Sequence, residues 1–247
     1  CKLNIIAIIP ARSGSKSILD KNIAMLSGHP VLAYSIAAAK CSSLIGRVII
    51  STDSIKYAEI AKKYGAEVPF LRPIEYSTDV SNDRDFLIHA MSWIEEHEKQ
   101  TPEFWVHLRP TTPLRHPDII DNAIKVMITD NFATSLRSGY RASESPLKWF
   151  KKNENGYFEG LLGLSNDESN LPRESFETIY IPDGYVDIVR RSFVLKGKKI
   201  HGDRMIGFES PVTTEVDSTV EFEYLQYQLE KNGSVLKEYL ENKTIIQ

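Results

Sequence analysis

The densest chemistry in the chain lies between Pro10 and Asn22, where Arg12, Lys16 and Lys21 are interleaved with Ala11, Ser13, Gly14 and Ser15, and Asn22 closes the stretch. Small residues let backbone N–H groups approach an anion closely, and Arg and Lys neutralise it, so this pattern points to a polyphosphate guest. The stretch lacks the Gly-Lys-Ser/Thr of a P-loop and the three spaced glycines of a dinucleotide fingerprint, which argues against ATPase and dehydrogenase chemistry. By composition alone it could also be a solvated basic loop. A second group brackets Pro110-Thr111-Thr112-Pro113, with Arg109 before it and Arg115 after it. The prolines hold the backbone and present two guanidinium groups and two hydroxyls from one rigid turn. A third is Glu215 and Asp217, two apart in an extended stretch, so both carboxylates project to one side.

Alternating strand and helix patterns must position these groups. Residues 3–9, nearly all apolar and ended by Pro10, read as a central strand buried on both faces. A helix is expected over Val31–Cys41 and a second parallel strand over Arg47–Ser51. Thr52, Asp53 or Ser54 can cap a helix running to Gly65, and Glu67–Leu71 reads as a short third strand. The spacing of Leu87, Met91 and Ile94 predicts a long helix between Asn82 and Glu98. Phe104–Leu108 is a strand, Pro117 opens a helix over Asp118–Met127, and Ala133–Ser138 is another strand. This order implies βαβ units in a three-layer α/β/α sandwich with a mostly parallel, Rossmann-like sheet, and a ligand at the strand C-termini. The periodicity fails from about Ser143 to Thr178, where Asn155-Gly156 signals a hairpin. It resumes with a strand over Gly184–Val189 and helices over Thr219–Lys231 and Ser234–Glu241.

Composition bounds the function. The chain has 247 residues, 42% hydrophobic and 26% charged, with a formal net charge of −3. It is long enough to bury roughly 70% of its unfolded surface. The near-neutral balance argues against broad nucleic-acid binding, and no apolar run spans a bilayer, so neither a nucleic-acid nor a membrane partner is expected. Cys1 and Cys41 build no disulfide framework and no zinc spacing, and no signal peptide is recognised, so a cytoplasmic location is expected.

The segment IIPARSGSKSILDKN resembles the nucleotide-binding signature of the acylneuraminate cytidylyltransferases, the CMP-sialic acid synthetases, usually ARxGSKGxxxKN. The likeness continues in order through ISTD at 50–53, LRP at 71–73 followed by Asp79, RPTTPLR at 109–115 and TEVDSTVEFEYL at 214–225. It implies a nucleotide-diphospho-sugar transferase type of fold, one cytidylyltransferase domain over 1–247, with 143–178 as a dimerisation arm. It also implies transfer of CMP from CTP to the anomeric hydroxyl of an acidic 2-keto-3-deoxy sugar, with release of pyrophosphate, magnesium as cofactor and a homodimer. The sugars in view are sialic, legionaminic and pseudaminic acids. The alternatives are 3-deoxy-manno-octulosonate as substrate, and an inactive nucleotide-binding homologue. A metal-dependent glycosyltransferase is disfavoured because no Asp-x-Asp stands midway along the chain.

By this resemblance Arg12 and Lys21 are catalytic, holding phosphates and stabilising the leaving group. Ala11, Ser13, Gly14, Ser15, Lys16 and Asn22 cradle CTP, and Arg72 and Asp79 lie near the nucleotide. Arg109, Thr111, Thr112 and Arg115, with Lys148 and Arg173 from the arm, are the expected sugar contacts. Magnesium favours one or two carboxylates plus phosphate oxygens and water, which Asp217 and Glu215 supply. Each has a plainer alternative. Arg109 and Arg72 can sit in internal ion pairs, Glu215 and Asp217 can cap the helix near Thr219, and Asp53 can cap its own helix. His89, His97 and His107 read as packing or surface residues. Arg109 stands where relatives carry Gln, Glu215 where they carry Asp, and Ile181 where they carry Arg. These departures leave the specific sugar open.

Overall fold

The computed structural model describes residues 4–14, 20–78 and 81–244. The apolar run forms β1 (Ile5–Pro10), every residue of which but the last is buried. A small ribbon, β2 (Met25–Leu26) with β3 (His29–Pro30), leads into α1 (Val31–Cys41). Then come β4 (Arg47–Ser51), α2 (Ile55–Lys63), α3 (Asp83–Glu98), β5 (Phe104–His107), α4 (Pro117–Thr129) and β6 (Ser135–Arg141). The short strands β7 (Phe150–Lys152) and β8 (Phe158–Gly160) pair as a hairpin turning at Asn153–Tyr157, with Gly156 at φ +86°. The chain returns as β9 (Tyr180–Arg190), α5 (Arg191–Lys196), β10 (Met205–Glu209), α6 (Thr219–Asn232) and α7 (Val235–Thr244).

Six strands form one sheet in the order β10-β6-β9-β5-β1-β4. β1 runs parallel to β4 and β5, and β6 parallel to β10, whereas β9 lies antiparallel between β5 and β6. Alternation along β1 divides the core into two layers. Ile5, Ala7 and Ile9 face α1, α4, α6 and α7, while Ile6 and Ile8 face α3 and α5. The expected three-layer sandwich with a mostly parallel sheet is therefore present.

Three details differ from expectation. Glu67–Leu71 makes only one bridge, Glu67 to Ile49, because Pro69 has no N–H to continue a ladder. β9 begins at Tyr180, upstream of the predicted Gly184, and breaks register with β6 between Arg137 and Gly139. This bulge lets Ser138 Oγ donate to Asp183 and accept from Val186 N, and it places Gly184 at φ +64°. The edge strand β10 and the short α5 have no counterpart in the sequence reading.

Candidate active site

A cleft of about 440 Å³ opens at the C-terminal ends of β1 and β5, lined by Arg12, Lys21, Asn22, Arg72, Asp83, His107, Arg109 and Thr111 among others. One face of it carries Arg12, Lys21 and Asn22. Ala11, fully buried, donates from its N–H to Ser51 O at 2.9 Å and continues the path of β1 beside β4. Asp53 then takes both donors of Ser13, the N–H at 2.8 Å and Oγ at 2.7 Å. Gly14 follows at φ +76°, in the left-handed region. Asn22 Nδ2 donates to Arg12 O at 3.0 Å and so ties the two ends of the stretch together. Ser15, Lys16 and Asp79 lie outside the described residues.

The carboxylate pair arrives from the far end of the sequence. Val216 N donates to Thr111 O at 2.8 Å, which pins the Glu215–Asp217 segment to the Pro110–Pro113 turn. Lys21 Nζ lies 3.3 Å from Asp217 Oδ1, a contact between residues 196 positions apart. Glu215 is half-buried beside Thr112, whose Oγ1 is 3.5 Å from Oε1. Burial first, and then the charge of Asp217, push the Glu215 carboxyl above its ordinary pKa, against the opposing pull of Arg109. Neither acid caps α6. That role belongs to Ser218, which forms a capping box with Glu221. Asp53 is likewise not the cap of α2, since Ser54 accepts from Tyr57 N.

Arg72 is 6% exposed, with Nε on Ser51 Oγ at 2.9 Å, Nη2 on Ser51 O at 2.6 Å and its guanidinium 5.1 Å above the Phe86 ring. Burial lowers its pKa to about 10, opposed by the charges of Asp53 and Asp83, which leaves it cationic at neutral pH. It holds no ion pair within salt-bridge distance among the described residues. Arg109 does adopt the internal ion-pair arrangement, Nη1 to Asp187 at 2.6 Å and Nη2 to Asp83 at 2.7 Å. Burial opposes its charge, but the two carboxylates outweigh it and raise the pKa.

Other expected sugar contacts separate from the cleft. Arg115 is 3% exposed and spends its donors on Tyr185 O, Gly184 O, Arg109 O and Ser35 Oγ, so it braces the turn from behind. Burial lowers its pKa to about 9. Thr112 is buried, donating to Asp183 O, while Thr111 lines the cleft. Within this chain Lys148 and Arg173 do not reach it: Lys148 Nζ donates to Leu171 O at 2.7 Å, and Arg173 lines a separate cavity of about 290 Å³. His89 meets Phe70 edge-on and His97 stacks on Trp93, as packing residues do. His107 forms part of the cleft floor, with Nδ1 4.0 Å from Asp83.

Sequence reasoning missed Asp83, Asp183, Asp187 and Gly184. Asp83 and Asp187 fix Arg109, and Asp183 accepts from Ser138 and Ser210. A Cβ on Gly184 would come within 3.1 Å of Glu215 Oε1 and 3.2 Å of Thr112 Oγ1. Only Gly184 carried a signal, as a glycine entering a strand.

The chain is similar to several known proteins. The chain is 32% identical over 241 residues to N-acylneuraminate cytidylyltransferase of Escherichia coli, covering 96% of this chain and 55% of that protein. It is 38% identical over 127 residues to CMP-N,N'-diacetyllegionaminic acid synthase of Legionella pneumophila, covering 50% and 53%. The chain spans about half the length of the first, and the stretch aligned with the second covers about half of each protein. Flagellin modification protein B of Campylobacter coli matches at 26% identity over 95% of this chain and 99% of its own length. In fold, the chain resembles CMP:2-keto-3-deoxy-manno-octonic acid synthetase solved with CTP, with a TM-score of 0.68, 16% identity and coverage of 92% and 98%. The cytidylyltransferase profile matches residues 6–241, from β1 through the carboxylate pair to α7, and the chain belongs to the cytidylyltransferase family.

Proposed function

We propose that the chain transfers CMP from CTP to the anomeric hydroxyl of a nonulosonic, sialic-acid-like 2-keto-3-deoxy acid, releasing pyrophosphate. The observation that carries this reading is the meeting of Lys21 and Asp217 at 3.3 Å at the mouth of a cation-lined cleft. Displacement at the α-phosphorus spreads negative charge over equatorial oxygens and the departing pyrophosphate, so catalysis rests on fixed positive charge. Arg12 and Lys21 take that role. Arg72, immobilised on Ser51 and Phe86, holds the nucleotide beside them. The sialic-acid and legionaminic-acid enzymes that the chain resembles support the sugar class.

Magnesium fits the donor set. No cluster of three or more His, Cys, Asp or Glu is placed to hold a metal among the described residues. Magnesium needs fewer, since phosphate oxygens and water complete its shell. Asp217 and Glu215 would hold it, and the pKa of Glu215 is raised first by burial and then by the like charge of Asp217, both of which a bound cation would offset. When bound, the ion neutralises phosphate charge in the transition state. Arg109, already shared by two carboxylates, contributes by fixing Asp83 at the cleft wall.

We assign segment 143–178 as a dimerisation arm. It hangs between β6 and β9, where Ala142 N still donates to Ile179 O, and it exposes Trp149, Phe150, Tyr157, Phe158 and Leu162. A homodimer covers these and brings the partner copy's Lys148 and Arg173 towards the sugar. No helix among the described residues is long and apolar enough to cross a membrane, and use of CTP agrees with a cytoplasmic site.

The test is pyrophosphate release from CTP and magnesium with neuraminic, legionaminic, pseudaminic and octulosonic acids, using ATP, GTP and UTP as controls. Release with CTP and one nonulosonic acid is expected. Release only with octulosonate would move the substrate to that class, and CTP binding without release on any acid would mark an inactive homologue.

A further inference from the structure

The Arg12–Asn22 stretch is fastened to one neighbouring element at both of its described ends. At the first, the Asp53 carboxylate takes Ser13 N–H and Oγ–H, one residue beyond Arg12. At the second, Tyr57 OH donates to Asp20 Oδ1 at 2.8 Å and Lys56 Nζ lies 3.3 Å from Asp20 Oδ2, one residue before Lys21. Asp20 sits at φ 51°, a left-handed conformation uncommon outside glycine that Asp tolerates better than most residues, and the two contacts hold it there. The Asp20 carboxyl lies below its ordinary pKa, chiefly through the Tyr57 hydroxyl and then Lys56. Both fasteners come from the junction of β4 and α2. Asp53 precedes the Ser54 cap, and Tyr57 is in the first turn with its ring 1% exposed, so its hydroxyl projects from a fixed base. The same junction anchors Arg72 through Ser51.

We propose that Asp53 and Tyr57 are positioning residues for nucleotidyl transfer, acting respectively through Ser13 on Arg12 and through Asp20 on Lys21. The inference rests on the function proposed above. Preorganised cations stabilise the transition state only if they do not have to be gathered when charge develops, so the two fasteners act on turnover more than on capture of CTP. Neither side chain needs to touch a ligand.

The test compares wild type with Asp53→Asn and Tyr57→Phe, each of which keeps the side-chain volume. Steady-state pyrophosphate release is measured with varied CTP, CTP binding by titration calorimetry, and unfolding by thermal scan. Each variant is expected to lose roughly tenfold to a hundredfold in kcat, as small misplacements of reacting groups do. The Kd for CTP and the Tm should move little. Asp20→Asn should reproduce Tyr57→Phe, and the double variant should be no slower than the slower single one. Unchanged kcat in both variants would overturn the proposal, as would a loss that simply tracks a fallen Tm, or Tyr57→Phe and Asp20→Asn losses that multiply. Absence of pyrophosphate release from wild type on every acid would instead remove the function on which the proposal rests.

Discussion

At the residue scale, the site works by close approach as much as by contact. Gly184 stands at φ +64°, and a methyl group there would meet Glu215, Thr112 and the Arg109 side chain at 3.1 to 3.3 Å, close enough that they must give way slightly. Gly184→Ala should cost about 1 to 2 kcal/mol for the left-handed backbone alone, and it should also push Glu215 out of line with Asp217. The expected outcome is a lower Tm together with a raised magnesium requirement in the pyrophosphate assay. A variant that fell in Tm but kept the wild-type magnesium dependence would separate the fold from the carboxylate pair. Residue identity in the sequence disclosed which cations and acids were available. It did not disclose their partners, because Arg109 meets Asp83 and Asp187 through side chains 26 and 78 positions away. Arg115 shows the same limit. A charged residue on a proline-bounded turn reads as a ligand contact, but its guanidinium is used up on backbone carbonyls behind the turn.

At the scale of elements, β1, α1, β4, α3, β5 and α4 were legible because each has a long apolar run or a clear helical spacing with a cap. What stayed hidden lacks that signature. β10 is an edge strand with three of its five residues exposed, α5 is six residues long, and the first part of β9 carries Pro182 and a bulge. The hinge between chemistry and element is the start of α6. Ser218 and Glu221 close a capping box directly after Asp217, and Asp217 N itself donates to Glu221 Oε2 at 2.9 Å. Ser218→Ala should lower stability by about 1 kcal/mol, the usual value of a lost N-cap. It should also loosen the Lys21–Asp217 contact, read as a rise in the magnesium concentration at half-maximal rate. Unaltered magnesium dependence would show that the cap serves α6 alone.

At the scale of the whole molecule, burial of histidine sets the response to acid. His29, His89, His107 and His201 all have pKa values below the ordinary 6.5, with desolvation as the leading cause, and His107 is held well below it. Above pH 6.5 the folded and unfolded forms of His107 are both neutral and folding is indifferent to pH. Below it the unfolded chain takes a proton that the folded one refuses, so stability falls by up to about 1.4 kcal/mol per pH unit per histidine until the folded pKa is reached. Urea unfolding at pH 7.5 and 5.5 should show this drop, and His107→Gln should reduce it; an equal drop in that variant would place the acid sensitivity elsewhere. The reversed strand β9 has a different consequence, one that concerns biosynthesis. As the chain leaves the ribosome, β4, β1 and β5 can assemble, but β5 and β6 each keep an open hydrogen-bonding edge until Tyr180–Arg190 has emerged and paired with both. The turn bearing Arg109 has by then been made, yet its partner Asp187 arrives only with that strand. A nascent chain therefore passes through a stage in which it can pair with other unfinished copies, and one late segment both closes the gap in the middle of the sheet and gives Arg109 its buried partner.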